Sequence, residues 1–261
     1  MRSLLTEIAS SLSGPVERRL FAEYGSVFAT AATPPPVIIF DDAAKVEVFQ
    51  SSLARGRAMF GSHEIELQTA ALTSLSAAVA EMTDRGGIIT ARAAAAGGRT
   101  YDDTVRLWTR NVTGGLEHWE GLGRVAPERS RLISGLTPVE QVAVVLDLEE
   151  TEGLFFGTFF DRSILYSVAA PGASQHLSLL AFDVAEYQDE AVNEVLARYG
   201  WYRTVPDDLP HFSYLGHDKD RLPEIGLRRI ERIHGERVYG FWTPDVPRLL
   251  EEEQFIPVSL V

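Results

Sequence analysis

Apolar positions recur at helical spacing through residues 4–30, which predicts one or two amphipathic helices ending before Pro34, Pro35 and Pro36. Residues 37–40 form a short apolar run that reads as a buried strand, and a helical pattern resumes over 41–53. Leu67, Ala71, Leu75, Val79 and Met82 mark a clearer helix, stopped by Gly86-Gly87, and residues 88–91 read as a strand ending at Arg92. Thr100-Tyr101-Asp102-Asp103 and Thr137-Pro138-Val139-Glu140 are capping-box patterns that open two more helices, the first carrying Val105, Trp108, Val112, Leu116 and Trp119 on one face. From Leu154 the character changes to aromatic and β-branched runs, LFFGTFF, ILYSVA and LLAFDVA, which read as strands. Val192, Val195, Leu196 and Tyr199 define a last strong helix, and HFSYL and VYGFWTP are further strand candidates. Helices lead and strands follow, which predicts an α+β architecture with an antiparallel sheet and helices packed on it. The triple proline divides this into an N-terminal helical segment, 1–33, and a main domain, 34–261.

Composition removes several classes of protein. Hydrophobic residues at 45% and charged residues at 23% are ordinary globular usage, so a disordered or fibrous chain is excluded. The 37 acidic residues outnumber 24 basic ones, and the resulting charge of −13 repels phosphate, which argues against nucleic-acid and anionic-membrane binding. No run approaches the ~20 apolar residues of a membrane span, and Glu7 with its neighbouring serines interrupts what a signal peptide would need. With no cysteine, disulfides, thiol nucleophiles and thiolate metal sites are absent. Any metal must be held by carboxylates and by the six histidines.

Two segments carry candidate chemistry. In Pro171-Gly172-Ala173-Ser174-Gln175-His176 a histidine leaves a Pro-Gly turn, and Asp183 follows on the apolar run of residues 177–182. A carboxylate in a buried strand is costly unless it is paired or bound to a metal. In Asp208-Leu209-Pro210-His211-Phe212 a second histidine opens another strand. Two imidazoles and one carboxylate are a usual ligand set for catalytic zinc, and Asp208 is spaced to serve as general base. Each residue alone is more often structural; their combination in a cysteine-free chain points to a metal centre.

At these residues the sequence resembles the zinc D-alanyl-D-alanine carboxypeptidases and related peptidoglycan peptidases of the LAS group. The family pattern is Ser-x-His-x-x-Gly-x-Ala-x-Asp, followed by an acidic residue-x-x-His. Ser174, His176, Ala181 and Asp183 match the first part, Asp208 and His211 the second, and Leu179 stands in the Gly place. The resemblance implies a LAS-type zinc peptidase fold, Zn²⁺ held by His176, Asp183 and His211, Asp208 as base and Ser174 on the substrate. It further implies an arginine at a strand end that steadies the substrate carbonyl. Arg92 fits that place, with Arg99 as its competitor and as a candidate substrate-binding residue. The span from Arg92 to His176 exceeds the family's usual one, which implies an insertion around 120–165.

The implied substrates are peptidoglycan stem peptides or muropeptides in the bacterial cell envelope. Asp-x-Pro-His-Phe leans toward the L-alanyl-D-glutamate endopeptidase branch, whereas the long Arg92–His176 span and the Pro-Gly-Ala-Ser-Gln-His entry lean toward D-alanyl-D-alanine carboxypeptidases, which we favour. A noncatalytic cell-wall-binding or scaffold protein that keeps the fold is the rival reading, motivated by Leu179 and by Asp rather than Glu at 208. His217 reads as part of a solvated loop; His63, His118 and His234 lack an acidic neighbour at ligand spacing and default to surface or packing roles. Trp201 and Tyr202 could wall a cleft or pack in the core.

Overall fold

Helices and short antiparallel strands make up the computed structural model, which describes residues 4–254, and the α+β expectation holds. In chain order the helices are α1 (Leu4–Ser11), α2 (Pro15–Tyr24), α3 (Ala43–Ser52), α4 (Thr69–Asp84), α5 (Tyr101–Gly121), α6 (Pro127–Ser134), α7 (Pro138–Glu152), α8 (Glu190–Arg198) and α9 (Val246–Gln254). Both capping boxes form: the Thr100 side chain accepts from the Asp103 N–H and the Thr137 side chain from the Glu140 N–H, each with the reciprocal bond. Pro138 occupies the first turn of α7, where its missing N–H costs nothing, and Gly153 ends that helix in the left-handed region.

The strands are β1 (Arg55–Phe60), β2 (His63–Gln68), β3 (Ala181–Asp183), β4 (Trp201–Tyr202), β5 (His211–Tyr214), β6 (Leu227–His234) and β7 (Arg237–Pro244). They form three small antiparallel sheets rather than one: the β1–β2 hairpin, a central sheet in the order β3-β5-β4, and the β6–β7 hairpin. The β1–β2 hairpin lies where the pattern reads as helix only from Leu67 on. Arg55, Arg57, Glu64 and Glu66 form cross-strand ion pairs on the exposed face, while Ile65 and Leu67 alternate with the glutamates and face the core, a period-two signal that the reading of Leu67 as the start of a helix passed over.

Three hydrophobic clusters form, two large ones and a small third in which Phe40, Val46, Phe49 and Leu53 pack on Leu177 and Leu179. The first gathers α1, the β1–β2 hairpin, α4, the central sheet, α8 and α9 around Phe21, Leu67, Leu75, Phe182 and Trp201. Trp201 and Tyr202 are buried in it, so core packing is their role. The second core gathers α5, α6 and α7 around Trp108, Val145, Leu148, Phe156 and Ile164. It is built largely from the stretch expected as an insertion. The helical segment before Pro34 feeds both, with Leu5, Ala9 and Phe21 in the first and Leu20 and Tyr24 in the second.

Three strand expectations fail and a fourth shrinks to a single bridge. LFFGTFF is irregular backbone, with Phe156 buried and Phe159 exposed, and ILYSVA opens with a 3-10 turn; in each run one N–H is taken by a carboxylate instead of a partner strand. Glu149, buried at the end of α7, accepts from the N–H of Phe156 (3.0 Å), the N–H of Ile164 (2.7 Å) and the hydroxyl of Ser163 (2.6 Å). The Gly157 N–H closes onto the Arg162 carbonyl at 3.1 Å, and the loop turns sharply through Phe160 at φ +57°. Residues 37–40 are bends held to the rest by the Phe40 N–H on the Gly172 carbonyl, and the 88–91 segment shrinks to one bridge, Ala91 with Val184.

Glu149 therefore organises the second core from its interior. Glu149→Ala strands two backbone N–H groups and a hydroxyl in a buried place and should cost about 3 kcal/mol. Glu149→Gln keeps an acceptor oxygen and should retain most of the stability; urea unfolding midpoints of the two variants provide the check.

Candidate metal centre

Strand register brings the predicted residues together. In the antiparallel pairing of β3 with β5, Asp183 stands directly opposite His211 and Ala181 opposite Ser213, so all four share one face of the sheet. Phe182 and Phe212 point the other way, and Phe182 joins the first core against Phe60 and Trp201. His176 arrives from the 3-10 turn Gln175–Ser178 after the Pro171-Gly172 bend, and its ring meets that of His211 edge-on at a centroid distance of 4.9 Å. His176 and His211 are 2% and 3% exposed, and Asp183 is slightly more open.

The three candidate ligands converge on one point. His176 Nε2 lies 3.3 Å and His211 Nδ1 3.2 Å from the same Asp183 oxygen, Oδ1, and one atom from each of the three residues lies within 4.8 Å of the others. Two ligand atoms bound at about 2.0–2.1 Å to a tetrahedral ion stand roughly 3.3–3.4 Å apart. A charge-assisted N–H···O bond would be shorter, about 2.7–2.9 Å. The group can therefore hold a metal ion.

The hydrogen bonds around the rings fix which nitrogens face inward. His176 Nδ1 lies 2.6 Å from the Gly97 carbonyl, an acceptor, so Nδ1 carries the proton and Nε2 presents a lone pair. His211 Nε2 lies 2.9 Å from Gln175 Oε1. The orientation of that amide is fixed in turn, because Gln175 Nε2 donates to the Tyr24 carbonyl at 2.7 Å while Oε1 receives the hydroxyls of Ser213 and Thr204. His211 thus carries its proton on Nε2 and presents Nδ1. Two imidazole lone pairs face a carboxylate oxygen with no hydrogen between them, an arrangement that repels itself until a cation sits among the three. These acceptors behind the rings are what metal-bound histidines use to hold their tautomers.

Arg99 completes the carboxylate side. Its Nη2 donates to Asp183 Oδ2 at 3.0 Å and its Nε to the Ala95 carbonyl at 3.3 Å, leaving Oδ1 for the imidazoles. Arg99, expected on the substrate, is thus turned to Asp183. Arg92 follows the Ala91 bridge, its N–H on the Asp183 carbonyl at 3.0 Å and its guanidinium 5.6 Å above the Tyr187 ring. Arg92, Ser174 and Asp208 all line a cleft of about 400 Å³ that opens onto the three ligands. Burial, with Asp183 adding, pushes the Asp208 carboxyl above its ordinary range, against the pull of His211 and the arginines. Leu179, in the place where the resemblance has Gly, ends the 3-10 turn at φ +57° and ψ +31°, the left-handed region that favours glycine. Its side chain packs against Gly98, where a Cβ would lie 2.4 Å from Leu179 Cδ2 and force it to shift.

Sequence reasoning passed over Gln175, Tyr24 and Arg110. Gln175 stood at an unspecified position between two matched residues, and Tyr24 acts through its carbonyl, which no side-chain pattern reports. Arg110 lines the cleft from α5, within a stretch read for its core face alone. His234, expected to have no acidic partner, lies 2.8 Å from Asp207 across the fold. No protein-family model and no curated protein matches the chain.

Two outcomes follow from the geometry. Gln175→Ala frees the His211 tautomer and should weaken metal affinity about 10–100-fold, measured by competition with a chelating dye. The second concerns pH. Burial, with Arg99 adding, pushes His176 from 6.5 down to about 4. An unfolded imidazole takes up a proton below about 6.5 whereas the folded one resists, so the unfolded state binds more protons across that window. Stability of the chelator-treated protein should fall as pH drops from about 6.5 to about 4, by roughly 3 kcal/mol in all. Urea unfolding across that range reads the slope, and His176→Gln should flatten it.

Proposed function

We propose that the chain is a zinc metallopeptidase acting on the stem peptide of peptidoglycan, with the fold of the LAS-group peptidases and D-alanyl-D-alanine carboxypeptidase activity. The observation that carries this reading is the pair of inward imidazole lone pairs around Asp183 Oδ1, each fixed from behind by a carbonyl acceptor. The left-handed backbone at Leu179 adds support, since the family pattern has glycine at that place.

His176 Nε2, Asp183 Oδ1 and His211 Nδ1 would hold Zn²⁺, which supplies Lewis acidity and lowers the pKa of a water toward about 7. The chain's own residues do the remaining work. Asp208, in the cleft with its pKa raised by burial, accepts the proton of the attacking water and returns it to the leaving amine. Arg92 offers positive charge to the carbonyl oxygen as it becomes an oxyanion. Arg99 pairs with Asp183 Oδ2 and leaves Oδ1 to the imidazoles. Ser174 is in the cleft wall beside the ligands, placed to hydrogen-bond the substrate backbone.

A pentapeptide stem incubated with the zinc-loaded protein should lose one D-Ala by mass spectrometry. Asp208→Asn should lower the rate about 10²–10⁴-fold while metal content stays stoichiometric. Activity indifferent to chelation would overturn the reading; release of a D-Glu-containing fragment would move it to the L-alanyl-D-glutamate endopeptidases. Binding of muropeptides without new amines would instead favour a noncatalytic wall-binding protein.

A further inference from the structure

The cleft gathers positive charge in a chain of net charge −13. Arg92, Arg99 and Arg110 line it against the carboxylates of Asp183 and Asp208, and the buried His176 stays neutral. Arg99 is held to Asp183 at 3.0 Å, and Arg92 lies over the Tyr187 ring within electrostatic reach of Asp208. Arg110 is different. It has no ion pair or hydrogen bond with any described residue, and its own helix offers it none. Four residues before it stands Arg106, paired with Asp103 at 2.7 Å; three and four residues after it stand Thr113 and Gly114. Thr104, Leu107 and Arg110 recur at helical spacing along the cleft face of α5, while Trp108 and Val112 face the second core. A free guanidinium on a cleft wall, in a protein whose overall field repels anions, is a local device for attracting one.

We propose that the cleft recognises a peptide through a carboxylate, and that Arg110 is the specificity-determining residue that receives it, by the paired N–H donors a guanidinium offers. This rests on the peptidase reading for the identity of the peptide but not for the recognition itself. The assignment moves the carboxylate contact away from Arg99, which is engaged with Asp183, and onto the helical wall. It leaves Arg92 for the reacting carbonyl.

The test uses full-length, zinc-loaded protein and non-hydrolysable reduced-amide analogues of a D-Ala-D-Ala-terminated tripeptide, with binding followed by calorimetry. One probe has a free C-terminal carboxylate; a second has a C-terminal amide; a third has the C-terminal amide and a side-chain carboxylate at its first residue. The carboxylate probe should bind at least about tenfold tighter than the amide, a preference that shrinks with added salt. Arg110→Gln should abolish the preference, and Arg110→Lys should restore part of it as a point charge without the planar fork. Arg110 is exposed, so both variants should unfold at the parent midpoint. If the third probe shows the Arg110-dependent gain instead of the first, recognition is of a side-chain carboxylate and the proposal stands with that source. Equal binding of all three probes, or a preference that survives Arg110→Gln, overturns it. Retained Arg110-dependent binding by a protein that cleaves no stem peptide separates the two readings: the peptidase assignment fails and carboxylate recognition stands.

Discussion

The carbonyl oxygen of Tyr24 accepts the side-chain amide of Gln175, and that one hydrogen bond decides the chemistry of the centre. Were the amide reversed, its oxygen would face the Tyr24 oxygen at 2.7 Å, a repulsive contact in a buried place. With the amide held, Oε1 must face His211, Nε2 must carry the proton, and Nδ1 must present a lone pair to Asp183. The Gly97 carbonyl imposes the same logic on His176. Neither imidazole can then donate to the carboxylate without giving up its outer bond or taking on a second proton, and burial makes the second proton costly for His176. A cation is the remaining way to satisfy all three inward atoms together.

This places unusual weight on the first helices. Tyr24 ends α2 and leads directly into the 3-10 turn Gly25–Ala29, and its carbonyl also receives the Gln175 amide. Its hydroxyl donates to the Leu165 carbonyl at 3.1 Å, and Ser26 donates to the Trp242 carbonyl at 2.7 Å. The segment thereby joins both cores and the β6–β7 hairpin to the wall behind His211. The same economy appears on the far side of the centre. Left-handed Leu179 costs about 1–2 kcal/mol against a glycine, and burial of its side chain over Gly98 offsets that strain while holding the Gly97 carbonyl against His176.

What the sequence makes legible is what depends on side chains at fixed spacing. The two capping boxes, the α5 face and the grouping of His176, Asp183 and His211 are all readable because each is a local pattern whose members must be particular residue types. The failures share the opposite property. The aromatic runs of 154–169 have strand composition, but their backbone donors are answered by Glu149, a carboxylate on α7 that no local pattern connects to them. The β1–β2 hairpin buries Phe60, Ile65 and Leu67 in the first core, and its Arg and Glu residues pair across the exposed face, a pairing that only the folded structure reveals. Gln175 and Tyr24 act through an amide and a main-chain oxygen, groups that any sequence offers in abundance.

The division between the cores also separates two tasks. The ligands come from the central sheet and the turn before it, and the tautomer-fixing acceptors stand behind them. Arg110 and the residues Ser167, Val168 and Ala169 of the cleft wall come from the helical part. Between them runs the loop carrying Asp207 and Asp208. Asp207 takes φ +66°, a left-handed conformation that aspartate tolerates better than most residues with a Cβ, and its carboxylate lies 2.8 Å from His234 on the β6–β7 hairpin. Successive carboxylates on one turn are thus sent to different places, Asp207 to the hairpin and Asp208 into the cleft. The candidate ligands rest on the central sheet and the α5 wall on the helical core, so a change in α5 can alter what the cleft admits without disturbing the imidazoles.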